Sequence, residues 1–313
     1  YGYGQLLSTL LLGHTQILPE ALNPFAISDA VARHRPTVLP AIPSLFTYLF
    51  RGLSPFLKTD LSSIRIVTNT GGSIPEPVLN EMVEVFSKCR IYLNYGLTET
   101  YRTSYLDPSL VRTRAGSIGR PIPGVDVVVV REDGSVCEPG EEGEIVHRGG
   151  YVFSGYWNDP EATARSLRPD PLLPPGAPGG GKAVFTGDYG TMDADGLLYF
   201  RGRRDHQLKS MGVRVNPSEI EQLLLASGLA EEAAVFGKRH DVIGDEIWAA
   251  VAVANQGDQI EQKLRKHARD VMSPYMQPRR YIFKEQLPRT PNGKADYRAL
   301  RREADAAPSA SFL

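Results

Sequence analysis

The run Asn94-Tyr95-Gly96-Leu97-Thr98-Glu99 places four useful groups at the end of an apolar, strand-like segment. Gly96 permits a tight turn there. Tyr95 offers a flat face on which a base can stack, and Thr98 offers an oxygen to a phosphate. Glu99 is a hard oxygen ligand able to hold Mg²⁺ against phosphate oxygens. Alone, the six letters read equally well as a strand-end turn with exposed polar residues.

Other candidates are spread along the chain. Asp188 sits between Gly187 and Tyr189 in Phe185-Thr-Gly-Asp-Tyr-Gly190, expected to be a turn after an apolar strand, where its carboxylate can accept hydrogen bonds from both ribose hydroxyls. After an acidic turn (Met192 to Gly196), a second strand, Leu197 to Gly202, delivers Arg203, Asp205 and Lys209. Gly71-Gly72-Ser73 closes another apolar run, and Lys294 lies in Pro291-Asn292-Gly293-Lys294. A lone Gly-Asp is ordinarily a surface turn and a lone lysine a solvated charge.

Gly176 to Lys182 spells GxxxxGK, but Ala183 stands where a Ser or Thr would bind Mg²⁺. It also follows a Pro-rich loop and not a buried strand, so it reads as linker. The six histidines are scattered, with His206 near Asp205, and form no metal or Ser/His/Asp set. Cys89 and Cys137 are far apart and read as small hydrophobes of a reduced, cytoplasmic protein. A net charge of -1 with no basic run gives no sign of a nucleic-acid partner. No apolar run reaches the roughly 18 residues of a membrane span.

The elements that must carry these groups follow from pattern. Residues 1 to 112 alternate helical and strand signals. The helices are GYGQLLSTLLL up to Gly13, one opened by Asn23-Pro24, one by Pro43-Ser44, and Pro75 to Lys88. The strands are HTQILPE, TVLPAIP, IRIVTNTGG and RIYLNYG. Repeated βα units predict a mostly parallel α/β sheet with ligands at strand carboxyl ends, where Gly71 to Ser73 and Asn94 to Glu99 fall. Residues 113 to 204 turn to short strands and Gly/Pro turns, a small β-barrel-like subdomain. From 205 to 313 a helix opened by Asn216-Pro217, two strands, a charged helix and a further strand make a compact α+β domain.

Together, NYGLTET (94–100), FTGDYG with the segment after it (185–221) and PRTPNGK (288–294) resemble the adenylate-forming superfamily: acyl-CoA synthetases, peptide-synthetase adenylation domains and luciferases. SIGRPIPG and GYWNDPEAT also match its patterns, and TYRTSYLDP has the texture of acyl-CoA or acyl-carrier-protein ligases. The resemblance implies that Asn94 and Tyr95 hold adenine, Thr98 the α-phosphate, Glu99 the Mg²⁺ and Asp188 the ribose. Arg203 would reach ribose or phosphate. Asp205 would be the hinge of a mobile carboxy-terminal domain, with Lys209 and Gly212 in the segment serving the thiol step. Lys294 would be the adenylation lysine. Tyr3, Gly4, Ala41 to Ser44 and Thr70 to Ser73 would line the acid pocket.

The implied chemistry is activation of a small carboxylic acid by ATP, then transfer to coenzyme A or to the phosphopantetheine of a free-standing carrier protein. Aryl, fatty and amino acids stay open as substrates, and so does the acceptor. The resemblance spans the whole chain but roughly the last three-fifths of a full-length member. The family's upstream Ser/Thr/Gly-rich phosphate loop has no counterpart here, so the 313 residues alone are expected to adenylate poorly or not at all, with an apolar face or strand edge left exposed. Two alternatives remain: a non-catalytic remnant that binds nucleotide or a partner, and a luciferase-like oxidative enzyme.

Overall fold

The computed structural model describes residues 2–50, 54–72, 74–174, 181–203, 207–240, 243–253, 259–290 and 293–306. Ser73, Asp205, His206, Pro291 and Asn292 lie outside them, as do the first five residues of the GxxxxGK stretch. The chain divides into two compact units, Tyr1–Phe200 and Arg201–Leu313.

The first unit begins with α1 (Gly2–Leu12) and α2 (Pro24–His34). Asn23 caps α2, its side chain accepting from the Ala26 amide at 2.9 Å, and Arg35 ends it with a left-handed backbone. β1 (Val38–Ala41), α3 (Pro43–Phe50), β2 (Ile66–Asn69), α4 (Glu76–Val85) and β3 (Arg90–Tyr95) then build a parallel βα layer. Its core is a cluster of rings, Phe46, Phe50, Phe56 and Phe86, with successive centroids 6.0 to 6.5 Å apart. The expected α/β class holds.

His14 to Glu20, read as a strand from its alternation, pairs with no strand among the described residues and runs irregularly. An alternating run becomes a strand only where a sheet edge accepts its backbone groups. Here the segment leaves α1 through a His14 amide to Thr9 carbonyl bond and holds Leu18 exposed. On α1 only Gly4 is buried; Tyr3, Leu10, Leu11 and Leu12 are exposed.

From β3 the strand pairing continues without a break. β4 (Ser104–Leu106) runs antiparallel to β3, and β5 (Ser117–Pro121) antiparallel to β4. β6 (Val125–Val130), β7 (Glu142–Gly149), α5 (Pro160–Ser166), β8 (Leu167–Pro169) and β9 (Lys182–Met192) follow, and β10 (Leu198–Arg203) begins in this unit and ends in the second. The order is β1-β2-β3-β4-β5-β10-β9-β7-β6, so the parallel layer and the antiparallel part share one curled sheet. The crossing at β5 requires Gly119: its φ is +81°, and a Cβ there would lie 1.8 Å from the Tyr105 carbonyl oxygen.

In the second unit β11 (Leu208–Ser210) and β12 (Val213–Val215) form a hairpin, followed by α6 (Pro217–Ala226), β13 (Glu232–His240) and β14 (Gly244–Ala252). α7 (Ile260–Val271), β15 (Arg280–Lys284) and α8 (Tyr297–Ala306) finish it. β13 and β14 pair over nine residues, and β15 lies parallel to β14. Alternation divides the two faces of this sheet. Val235, Ile247 and Val251 pack with Ile220 and Leu224 of α6 and Leu264 of α7, while Phe236, Trp248 and Ala250 pack with Leu300 of α8. α8 was not read from the sequence, because its apolar positions are few among charges.

Gly119→Ala is expected to remove about 3 kcal/mol of stability, through backbone strain and a forced clash with β4. Urea unfolding followed by circular dichroism would show it as a lowered midpoint.

Candidate active site

The carboxyl ends of β1, β2 and β3 lie side by side, as the parallel register requires. At the end of β2 Asn69 is 3% exposed, and its Oδ1 has no hydrogen-bond partner among the described residues. Its carbonyl accepts from Asn94 Nδ2 at 3.0 Å. After Thr70 come Gly71, with φ +89°, and Gly72, where an added Cβ would meet Ile42 and Pro43 at 3.5 Å. A buried amide oxygen without a partner, close in sequence to two side-chain-free positions, is an acceptor that a ligand's donor could satisfy.

Tyr95 ends β3, and its hydroxyl donates to Asp188 Oδ2 at 2.7 Å. The expected turn at Asp188 is instead a bulge within the long strand β9. Thr186, Gly187 and Asp188 stand opposite Ile145 alone, between the Glu144–Tyr189 and Val146–Phe185 pairs. The extra residues are held from below: the Thr186 hydroxyl donates to the Ile145 carbonyl, and the Gly187 amide donates to Glu144 Oε1 at 2.9 Å. A bulge re-aims one side chain without ending the strand, and here it leaves Asp188 buried, at 4% exposure.

Beyond β3 the chain folds back so tightly that a Cβ on Gly96 would stand 3.0 Å from Arg102 Cα and the Tyr101 carbonyl oxygen. Tyr101 takes a left-handed backbone, φ 57°, and its ring lies over Gly4 of α1. Thr98 is exposed and Glu99 half-buried. The Glu99 carbonyl accepts from the Phe153 amide at 2.9 Å, and its Oε1 accepts from the Tyr156 hydroxyl. No group of three or more His, Cys, Asp or Glu side chains able to hold a metal occurs among the described residues. Glu99 alone fits a cation held chiefly by a ligand's phosphate oxygens.

In the second unit Arg203 is exposed at the end of β10, and Lys209 is exposed on β11, its amide donating to Asp245 Oδ2 at 2.7 Å. Met211 and Gly212, with φ 52° and 83°, form the two-residue hairpin turn between β11 and β12. A φ of 83° favours glycine at position 212 whatever else passes by, while Met211 holds a left-handed backbone as a non-glycine residue.

Lys294 is exposed, and the described residues on either side of it are tied together. The Thr290 amide donates to the Lys294 carbonyl at 2.8 Å, and Arg289 and Ala295 form a bridge. Arg289 also pairs with Glu232 at 2.6 Å. Just beyond, the Tyr297 hydroxyl donates to Glu221 Oε1 at 2.7 Å, which also accepts the Val235 amide at 2.8 Å. Burial pushes the Glu221 carboxyl up to about 7 against those two bonds, and burial and the neighbouring Glu221 push the Tyr297 phenol up.

Both cysteines are free and half-buried, and burial raises both thiols. Sequence reasoning passed over Glu221 and Tyr297, which no spacing joins; Tyr156 was visible only as part of GYWNDPEAT.

Known proteins share this chain's sequence pattern and fold. The family description "AMP-binding enzyme" matches residues 1–157, and "AMP-binding enzyme C-terminal domain" matches residues 219–294. The chain belongs to the AMP-binding, adenylate-forming enzyme family. It is 30% identical over 297 residues to a long-chain-fatty-acid–CoA ligase of Bacillus subtilis, covering 94% of this chain and 50% of that protein. The o-succinylbenzoate CoA synthetase of Bacillus subtilis, solved with its acyl-adenylate intermediate, superposes with a TM-score of 0.80 at 26% identity. That match covers 99% of this chain and 59% of the other. The amide bond synthetase McbA of Marinactinospora thermotolerans gives 0.77 at 30% identity, covering 90% and 55%. The chain thus spans little more than half the length of these relatives.

Two outcomes follow from the geometry. Tyr95→Phe, which strips the donor from a buried carboxylate, is expected to cost about 2 kcal/mol in urea unfolding. Glu221 is ionised in the unfolded chain above its ordinary range but binds its proton more tightly when folded. Its contribution is therefore full at pH 4 and lost as pH rises through about 7. Glu221→Gln should flatten that fall, seen as a melting temperature that changes less between pH 5 and 8 on the order of 1 kcal/mol in stability.

Proposed function

We propose that this chain forms the adenylate-holding part of an ATP-dependent ligase that activates a small carboxylic acid and passes it to a thiol. The observation that carries the reading is the Tyr95–Asp188 hydrogen bond, which puts a flat ring and a buried carboxylate at one place from strands far apart in sequence. Asn94 and Tyr95 would face the adenine, and Asp188 would accept from the ribose hydroxyls. The unpartnered Asn69 oxygen and the side-chain-free Gly71-Gly72 support a ligand at these strand ends, with Ser73 next in sequence.

The substrate carboxylate attacks the α-phosphorus of ATP, and pyrophosphate leaves from the far side as the acyl-adenylate forms. Mg²⁺, when bound, neutralises phosphate oxygens. Glu99 would hold it, and Thr98 would donate to the α-phosphate. The Lys294 ammonium would offset charge on the attacking and transferring oxygens, with Arg203 at ribose or phosphate. A thiol of coenzyme A, or of a carrier protein's phosphopantetheine, then attacks the acyl carbonyl and AMP leaves. Lys209 and Gly212 would border its approach.

The subdomains 1–112 and 113–204 would form the fixed part and 205–313 the moving part, pivoting at Asp205. A cytoplasmic setting, with coenzyme A and ATP at hand, suits this chemistry. Among the described residues no helix is long and apolar enough to cross a membrane.

Calorimetry of AMP binding to the 313-residue chain tests the nucleotide site, with Asp188→Asn expected to lose affinity at least about ten-fold as a charged hydrogen bond is removed. Carboxylate-dependent ATP–pyrophosphate exchange across aryl, fatty and amino acids tests the reaction, in this chain and in a longer form of the protein containing it. Lys294→Ala should abolish exchange without changing AMP affinity. AMP binding with no exchange for any acid in the longer form would select the non-catalytic remnant.

A further inference from the structure

Behind the Glu99 loop lies a chain of buried polar groups that the reaction above leaves unused. Thr100, Thr103 and His147 are each 0% exposed. The Leu97 amide donates to Thr100 Oγ1 at 3.2 Å, and the Thr100 and Thr103 hydroxyls lie 2.9 Å apart. Thr103 Oγ1 is 3.1 Å from His147 Nδ1, and His147 Nε2 is 2.7 Å from the Gly150 carbonyl.

With a neutral imidazole, the ends of this chain fix its direction. A carbonyl only accepts, so Nε2 carries the hydrogen and donates to Gly150. Nδ1 of the neutral ring is then an acceptor, taking the Thr103 hydroxyl proton. Thr103 in turn accepts from Thr100, whose oxygen is left to accept the Leu97 amide. With the ring neutral every proton has one place, and the Nε2–H tautomer satisfies all four bonds; a doubly protonated ring would reverse the two hydroxyls, Nδ1 donating to Thr103. Burial, which holds this imidazole below its ordinary value, favours the same form.

The two ends also reach the two loops that grip Glu99. Leu97 begins the turn that carries it. Gly150 begins the segment whose Phe153 amide binds the Glu99 carbonyl and whose Tyr156 hydroxyl binds its carboxylate. We infer that His147 is a positioning residue: through Thr103 and Thr100 it locks the 97–100 turn to the 150–156 segment and so fixes the Glu99 carboxylate where a phosphate-bound cation is met. The last clause rests on the proposed role of Glu99; the lock itself does not.

Amide hydrogen exchange without nucleotide tests the lock. Thr103→Val keeps the shape and removes the middle of the chain. It should speed exchange at Leu97 and Phe153 by roughly ten-fold, the loss of about one hydrogen bond's worth of local stability. Amides of β7 and β9 should keep the parent's rates. His147→Gln, which retains a donor for Gly150 but not the ring acceptor, should fall between parent and Thr103→Val. In the parent, ¹⁵N spectra of the imidazole should show the neutral Nε2–H tautomer. Unchanged exchange at both amides, acceleration spread evenly over β7 and β9, or an Nδ1–H tautomer would overturn the lock.

The link to the cation is read from the gain in ATP affinity on adding Mg²⁺. Thr103→Val should lose most of that gain while AMP affinity stays put. A parent that shows no Mg²⁺-dependent gain would defeat the role given to Glu99 and leave the exchange result to decide the lock.

Discussion

The hydrogen bond from Tyr95 to Asp188 sets a geometric demand on the whole first unit. Three strands, β4, β5 and β10, separate β3 from β9 in the sheet order. In a flat sheet four strand spacings amount to about 19 Å, well past the reach of one tyrosine. The sheet must therefore curl until its distant members face each other. Two local features permit this: Gly119, whose missing side chain lets β5 cross against the Tyr105 backbone, and the bulge at Thr186 to Asp188, which adds twist to β9. The candidate site is a product of curvature as much as of the residues that line it.

The second unit solves a different problem, that of holding a charged side chain in place. Lys294 is exposed, and its position follows from the residues on either side of it. Arg289 is tied to Glu232 before it, and Tyr297 to Glu221 after it. Both acceptors belong to the framework of this unit, Glu232 on β13 and Glu221 on α6. A buried carboxyl serving two donors is costly to place in an apolar setting, which fits a need for a defined position over mere stability.

Much of this was readable beforehand because it is local. Asn23-Pro24 and Asn216-Pro217 announce helix starts through a side chain that satisfies an orphan amide, and both do so here. Gly71, Gly96 and the residues around them fall at strand ends because parallel βα units place them there. Non-local facts were not readable. Nothing in the spacing of Thr103 and His147, or of Glu221 and Tyr297, announces a contact, since each depends on how separate elements pack. The alternation in His14 to Glu20 misled for the same reason: it describes a side-chain pattern, and the presence of a receptive edge is decided elsewhere.

The bulge in β9 has one more implication, concerning length. Its two surplus residues move Tyr189 to Glu144, two partners along, and so keep the inside and outside of the strand in phase with Phe185. Loss or gain of a single residue in Thr186 to Asp188 would invert inside and outside for the remainder of the strand. The carboxylate would turn away from Tyr95 even with every letter around it retained. At this point the protein can vary its chemistry by substitution but is closed to insertion and deletion, a constraint on count and not on identity.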